Sequence, residues 1–143
     1  MSIGLLIIAH DDIGDALLTS ATNILGFCSL HTEVLAVRPY ESLDAVKAHA
    51  AELLNHLSNE EGVLVLTDLL GSTPSNVAGA LQQKGKTHVV AGLNLPMLIK
   101  VLSHPNVSLQ QMTELALEGG KQGIMPGRAQ TVYPLPLSSA ATK

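Results

Sequence analysis

Short unbroken apolar runs alternate along this chain with longer segments in which apolar residues recur every three or four positions. The first run, Ile3–Ala9, reads as a strand buried on both faces of a parallel sheet. The segment after it carries Ile13, Leu17, Ile24 and Leu25 at helical spacing, with Gly26 as a stop. Leu30–Val37 reads as a second strand, with His31 and Glu33 on one face. Ser42–Leu57 has the pattern of an amphipathic helix: Leu43, Val46, Leu53, Leu54 and Leu57 share a face, and Ser42 suits its cap. Gly62–Thr67 is a third strand. Pro74–Gln83 follows as a helix with Ser72 or Thr73 as cap and Pro74 at its first position. Thr87–Ala91 predicts a short fourth strand, and Pro96–Leu102 and Ser108–Leu117 two short helices. Gly119, Gly120, Gly123 and Gly127 predict a loose connection. Thr131–Leu137 is an edge strand, because Pro134 and Pro136 do not fit the middle of a ladder.

Strand and helix alternate from end to end, so the expected fold is α/β, a mostly parallel sheet with helices on both faces. One domain over residues 1–137 accounts for the pattern, with Ser138–Lys143 as a frayed tail. Such sheets bind ligands at the carboxyl ends of their strands, where neighbouring connections diverge. Two strands here end in groups with chemistry: the first in His10, the third in Thr67-Asp68. Asn94, just after the fourth strand, has a similar position.

Composition narrows the choice of partner. The chain has 143 residues, enough for a real core, with 46% apolar and 14% charged positions, which argues against disorder. Phe27, Tyr40 and Tyr133 are its only aromatics, so base or sugar stacking has little to work with. Net charge is −4 and the eight Lys and Arg are scattered, which disfavours nucleic acid. No stretch is long and apolar enough to span a bilayer, and the start lacks the basic flank of a signal peptide. A lone cysteine, Cys28, forms no internal disulfide and reads as a packed apolar residue. A cytoplasmic location is expected.

A histidine at a strand end often does no more than cap a turn. Here it is joined at the same sheet edge by Asp68 and by the turn Gly71-Ser72-Thr73-Pro74 running into a helix. A carboxylate can hold one imidazole nitrogen as N–H and leave the other lone pair free to attack. Backbone N–H groups of Gly71, Ser72 and Thr73, with the hydroxyls, can meet phosphoryl oxygens at a helix start. The set therefore suggests a histidine that accepts a phosphoryl group. A rival is a receiver-like signalling domain phosphorylated on Asp68, with Asp11 and Asp12 as its acidic partners. Against it, no lysine ends the final strand, Gly92-Leu93-Asn94 lacks the expected Ser or Thr, and His10 is left without a role. A metal site of His10, Asp11, Asp12, Asp15 and Asp68 is a third reading, although Asp12 and Asp15 fit a first helical turn equally well. His49 and His56 lie on one helix face and read as solvated. His31, His88 and His104 read as structural or exposed. No Walker loop or strand-linked G-x-G-x-x-G is present, so neither a nucleotide nor another cofactor is expected.

Three segments together are specific: Ile7-Ile8-Ala9-His10, then Thr67-Asp68-Leu69-Leu70-Gly71-Ser72-Thr73-Pro74-Ser75-Asn76, then Ala91-Gly92-Leu93-Asn94-Leu95-Pro96-Met97-Leu98. With them the chain resembles the IIA component of the mannose/fructose/sorbose class of the sugar phosphotransferase system. The phosphotransfer subunit of dihydroxyacetone kinase, which shares fold and histidine, is the runner-up. The resemblance implies a cytoplasmic phosphoryl carrier and no cofactor. It makes His10 the acceptor, Asp68 its orienting partner and the Gly71–Thr73 turn the lining of the site. Phospho-HPr is the implied donor and a IIB protein the implied acceptor, on a separate chain because no second domain follows here. It also implies a homodimer in which the last strand, here Thr131–Leu135, crosses to the other subunit and runs antiparallel to the sheet. One departure stands out. Many relatives have glycine after the active histidine, and this chain has Asp11, whose charge opposes a phosphoryl group.

Overall fold

Each continuous apolar run becomes a strand, and the four lie parallel. The computed structural model describes residues 2–82 and 86–127. In chain order these give β1 (Gly4–His10), α1 (Ile13–Leu25), β2 (Thr32–Val37), α2 (Leu43–Leu57), β3 (Val63–Thr67), α3 (Thr73–Leu81), β4 (Thr87–Ala91), α4 (Leu95–Leu102) and α5 (Leu109–Gln122). The sheet order is β2-β1-β3-β4, every pair parallel. Ile3 and Leu5–Ala9 are almost wholly buried, as the unbroken apolar run requires of a strand covered on both faces.

Residues of alternate parity on β1 feed two cores. Leu5, Ile7 and Ala9 join Ala21 of α1, Leu98 of α4 and Met112 and Ala116 of α5. Leu6 and Ile8 face Val46, Leu54 and Leu57 of α2 and Val77 and Leu81 of α3. Each fully buried Leu or Ile contributes about 1.5–3 kcal/mol by leaving water. The chain turns toward one face after β1 and toward the other after β3, and these two strands are neighbours. The point where the connections diverge therefore lies between their carboxyl ends, the usual place for a ligand in such a sheet.

Local chemistry sets most boundaries as the pattern suggests. Gly26 stops α1 in the left-handed region at φ 90°. Ser42 caps α2 by accepting from the Ala45 N–H at 3.2 Å. Ser108 and Gln111 form a reciprocal capping box at α5. α3 starts one residue earlier than expected: Ser72 is the flanking residue and Thr73 the first helical one.

Four expectations are corrected. Gly119 and Gly120 are not part of a loose connection but the last turns of α5. A Cβ on Gly119 meets Lys100 Cβ at 2.5 Å, and one on Gly120 meets the Met97 side chain at 2.9 Å. These glycines let α5 approach α4 closely, a packing role that looks like a linker in sequence. Cys28 is exposed rather than packed, its thiol reaching the Leu30 carbonyl at 3.3 Å. On α1, Leu17 and Leu25 pack against the core as expected, but Ile13 and Ile24 stay exposed, and Gly14 and Ala21 take the most buried positions. Leu43 is likewise exposed in the first turn of α2, and Ala50 takes the inner face instead. The strand expected over Thr131–Leu137 and the tail Ser138–Lys143 lie outside the described residues, as does Gln83.

Candidate active site

The register between β1 and β3 pairs Ile8 with Thr67. The next residues on each strand, Ala9-His10 and Asp68, therefore emerge together at the carboxyl edge. One carboxylate oxygen of Asp68 accepts twice from the same residue: the His10 backbone N–H at 3.1 Å and the ring Nδ1–H at 2.8 Å. The other oxygen accepts from the Leu69 N–H at 3.0 Å. With the proton on Nδ1 to match this carboxylate, Nε2 carries the free lone pair. The exposures divide the labour. The Asp68 side chain is 11% exposed and that of His10 38%, so the carboxylate is sheltered and the ring reaches solvent.

Burial acts to raise the Asp68 pKa, since a carboxylate loses hydration there. The ring and backbone hydrogen bonds from His10 and the attraction of its ring act the other way and together prevail, so the pKa lies below the ordinary carboxylate value. Asp68 is thus a carboxylate at neutral pH, with both oxygens committed. That arrangement suits a group that orients its neighbour and leaves little freedom for Asp68 to be a phosphoryl acceptor itself.

The turn after Asp68 is built differently from a simple row of free donors. Gly71 adopts φ 87°, and its N–H donates to Ser75 Oγ at 3.2 Å. The Ser72 N–H donates to the Leu69 carbonyl at 3.3 Å, and its hydroxyl donates to the same carbonyl at 2.5 Å. Ser72 therefore does not cap α3 with its side chain. Among the described residues no acceptor meets the N–H of Thr73 or Ser75, and these are the open donors at the helix start. Ser75 is a residue that pattern reading passed over; its place one turn after Gly71 is the signal.

Asp11 takes φ 47°, the left-handed conformation that glycine enters without steric cost and that aspartate tolerates better than most residues. Its charge is not left alone beside His10. Arg38, just past the end of β2, places one guanidinium nitrogen 2.8 Å from Asp12 and another 3.9 Å from Asp11. Arg38 is the second residue that sequence reasoning missed, although its position one step beyond a strand's carboxyl end marks this same edge. The five-residue metal reading loses its geometry here. Asp11 and Asp12 turn to Arg38, and among the described residues His10, Asp11, Asp12, Asp15 and Asp68 do not gather round a common point. Asn94 serves structure: its side-chain oxygen accepts from the Met97 N–H to cap α4, and its amide donates to the Gly120 carbonyl.

Comparison with known proteins places the chain in a family. A family model described as the PTS system fructose IIA component matches residues 4–116. The mannose-specific EIIAB component of the PTS system from Escherichia coli (strain K12) is 29% identical over 146 residues, covering 98% of this chain and 45% of that protein. The chain thus spans less than half the length of that relative. The fructose-specific EIIA component from Bacillus subtilis (strain 168) is 31% identical over 104 residues, 71% of this chain and 69% of that one. Among solved structures, the mannose/sorbose-specific IIA subunit from Enterococcus faecalis superimposes with a TM-score of 0.81 at 26% identity, over 93% of this chain and all of that one.

Proposed function

The chain belongs to the family of PTS fructose IIA components, and from that premise we propose that it carries a phosphoryl group on Nε2 of His10, received from phospho-HPr and passed to a IIB protein. The single observation that carries this reading is the double hydrogen bond from His10 to one oxygen of Asp68, which favours the tautomer protonated on Nδ1 and leaves Nε2 without a protein partner among the described residues on a partly exposed ring. In the forward step the Nε2 lone pair forms a bond to phosphorus as the P–N bond of the donor breaks and its electron pair returns to the donor ring. The His10 ring gains positive character, which the Asp68 carboxylate offsets through Nδ1–H. The open N–H groups of Thr73 and Ser75, with the dipole of α3, stabilise the phosphoryl oxygens.

A protein rather than a small molecule suits the rim of the site. Leu69 and Leu70 beside Asp68, and Tyr40 after β2, are exposed apolar groups at this edge. Among the described residues no helix is long and apolar enough to cross a membrane, which fits a carrier that works in the cytoplasm between soluble partners. The protein is a homodimer in this proposal. The role is either sugar uptake or regulation, and membrane IIC and IID genes beside this one would favour uptake.

The test is reconstitution. With phosphoenolpyruvate, enzyme I and HPr, the parent chain takes up one label per chain and hands it to a cognate IIB protein, and His10→Ala takes up none. Equal labelling of His10→Ala refutes the proposal.

A further inference from the structure

We propose that the opposite edge of the sheet carries a surface site for a divalent transition metal of the zinc class, formed by His31, Glu33 and His56. His31 immediately precedes β2, Glu33 lies two residues on and so on the same face, and His56 stands in the last turn of α2. The Nε2 atoms of both histidines lie 3.6 Å from the same oxygen, Oε2 of Glu33, and the three atoms all fall within 4.8 Å of one another. In a tetrahedral zinc site with bonds near 2.0–2.1 Å, neighbouring ligand atoms sit about 3.3 Å apart. Both histidine–glutamate separations are already close to that value, and a shift of about 1 Å in two exposed side chains completes the set.

Three features favour a cation here. The two imidazoles pack edge to face with centroids 5.2 Å apart, and both Nε2 atoms approach the same Glu33 oxygen. Glu33 supplies the one full negative charge, and its carboxylate is half-buried rather than fully solvated. The carbonyl end of α2 adds the negative pole of the helix dipole. Two nitrogens and a carboxylate oxygen suit zinc better than magnesium or calcium, which take oxygen ligands. Water fills the remaining position. The metal would clamp the end of α2 to edge strand β2. The site lies at the amino edge of the strands, away from His10, so it is separate from phosphoryl transfer.

Titrating untagged, chelator-stripped protein with ZnCl₂ by calorimetry tests this. The expected result is one saturable site per chain, with affinity falling about tenfold or more in each of His31→Ala, Glu33→Gln and His56→Ala. His49→Ala, a histidine on the same helix outside the cluster, keeps parent affinity. Co²⁺ in place of Zn²⁺ gives the visible absorption of a tetrahedral complex in the parent chain, and that band disappears in His56→Ala. Labelling of His10 in the phosphotransfer assay is unchanged in all three ligand variants, which separates failure of this site from failure of the carrier reading. No saturable zinc binding by the parent chain, or equal binding by the three ligand variants, overturns the proposal.

Discussion

Replacing Asp68 by asparagine tests the division of roles between the two site residues, because the change is nearly isosteric and removes one charge. In the parent, one Asp68 oxygen accepts from the His10 N–H and from Nδ1, and the other accepts from the Leu69 N–H. Asparagine has one acceptor oxygen and one NH₂ group. If the oxygen faces His10, the NH₂ confronts the Leu69 N–H. If the amide is flipped, the NH₂ faces Nδ1 and favours the tautomer with its proton on Nε2, which removes the nucleophile. Either orientation loses a hydrogen bond to a charged group, worth about 1.5–3 kcal/mol. If that loss falls on the transition state, it corresponds to about 10–150-fold in rate. Rapid-quench measurement of label transfer from phospho-HPr reads the effect, with circular dichroism confirming a parent-like fold. Transfer by Asp68→Asn within about twofold of the parent, a gap of roughly 0.4 kcal/mol, refutes the orienting role.

The remaining predictions concern charge, acid and assembly. Arg38→Ala leaves Asp11 and Asp12 without their guanidinium partner, so transfer to His10 is expected to slow several-fold at low salt and the gap to narrow as salt rises; identical salt profiles for variant and parent contradict this. The folded-state pKa of Asp68 is depressed, so its stabilising contribution is present above the unfolded value near 3.9 and is lost as pH falls through the folded pKa. In urea melts the parent is expected to exceed Asp68→Asn in stability at pH 7 and to lose that margin progressively as pH falls below the ordinary carboxylate range; an undiminished margin in acid is the opposing result. Deleting the chain after Gly127 is expected to weaken the dimer and leave His10's strand folded, as read by sedimentation. A full-length chain that is monomeric at micromolar concentration, or a truncated one that dimerises as tightly, rules this out.

Strand alternation, buried β1 and the meeting of His10 with Asp68 were all legible in the sequence. They follow from periodicity and from the single rule that parallel strands share a carboxyl edge. What escaped was set by close approach. The glycines of α5 read as a linker because sequence does not show Pro96, Met97 and Lys100 pressing on them. The inner faces of α1 and α2 use Gly14, Ala21 and Ala50, small residues that a search for large apolar side chains overlooks. In the Gly71–Thr73 turn, which N–H groups stay open depends on the reach of the Ser75 hydroxyl, a tertiary detail. Arg38 and the His31–Glu33–His56 group each join elements far apart in sequence, and only the alternation of His31 with Glu33 hinted at either.

The identity of the phosphorylated atom tests the account most directly. Protein labelled through phosphoenolpyruvate, enzyme I and HPr is examined by ³¹P–¹⁵N correlation in ¹⁵N-histidine-labelled chain and by peptide mapping. The expected result is a single phosphohistidine at His10, bonded through Nε2, stable in base and lost in acid. Phosphate on Asp68, seen as a linkage lost quickly in base, or a bond through Nδ1 of His10, contradicts the account.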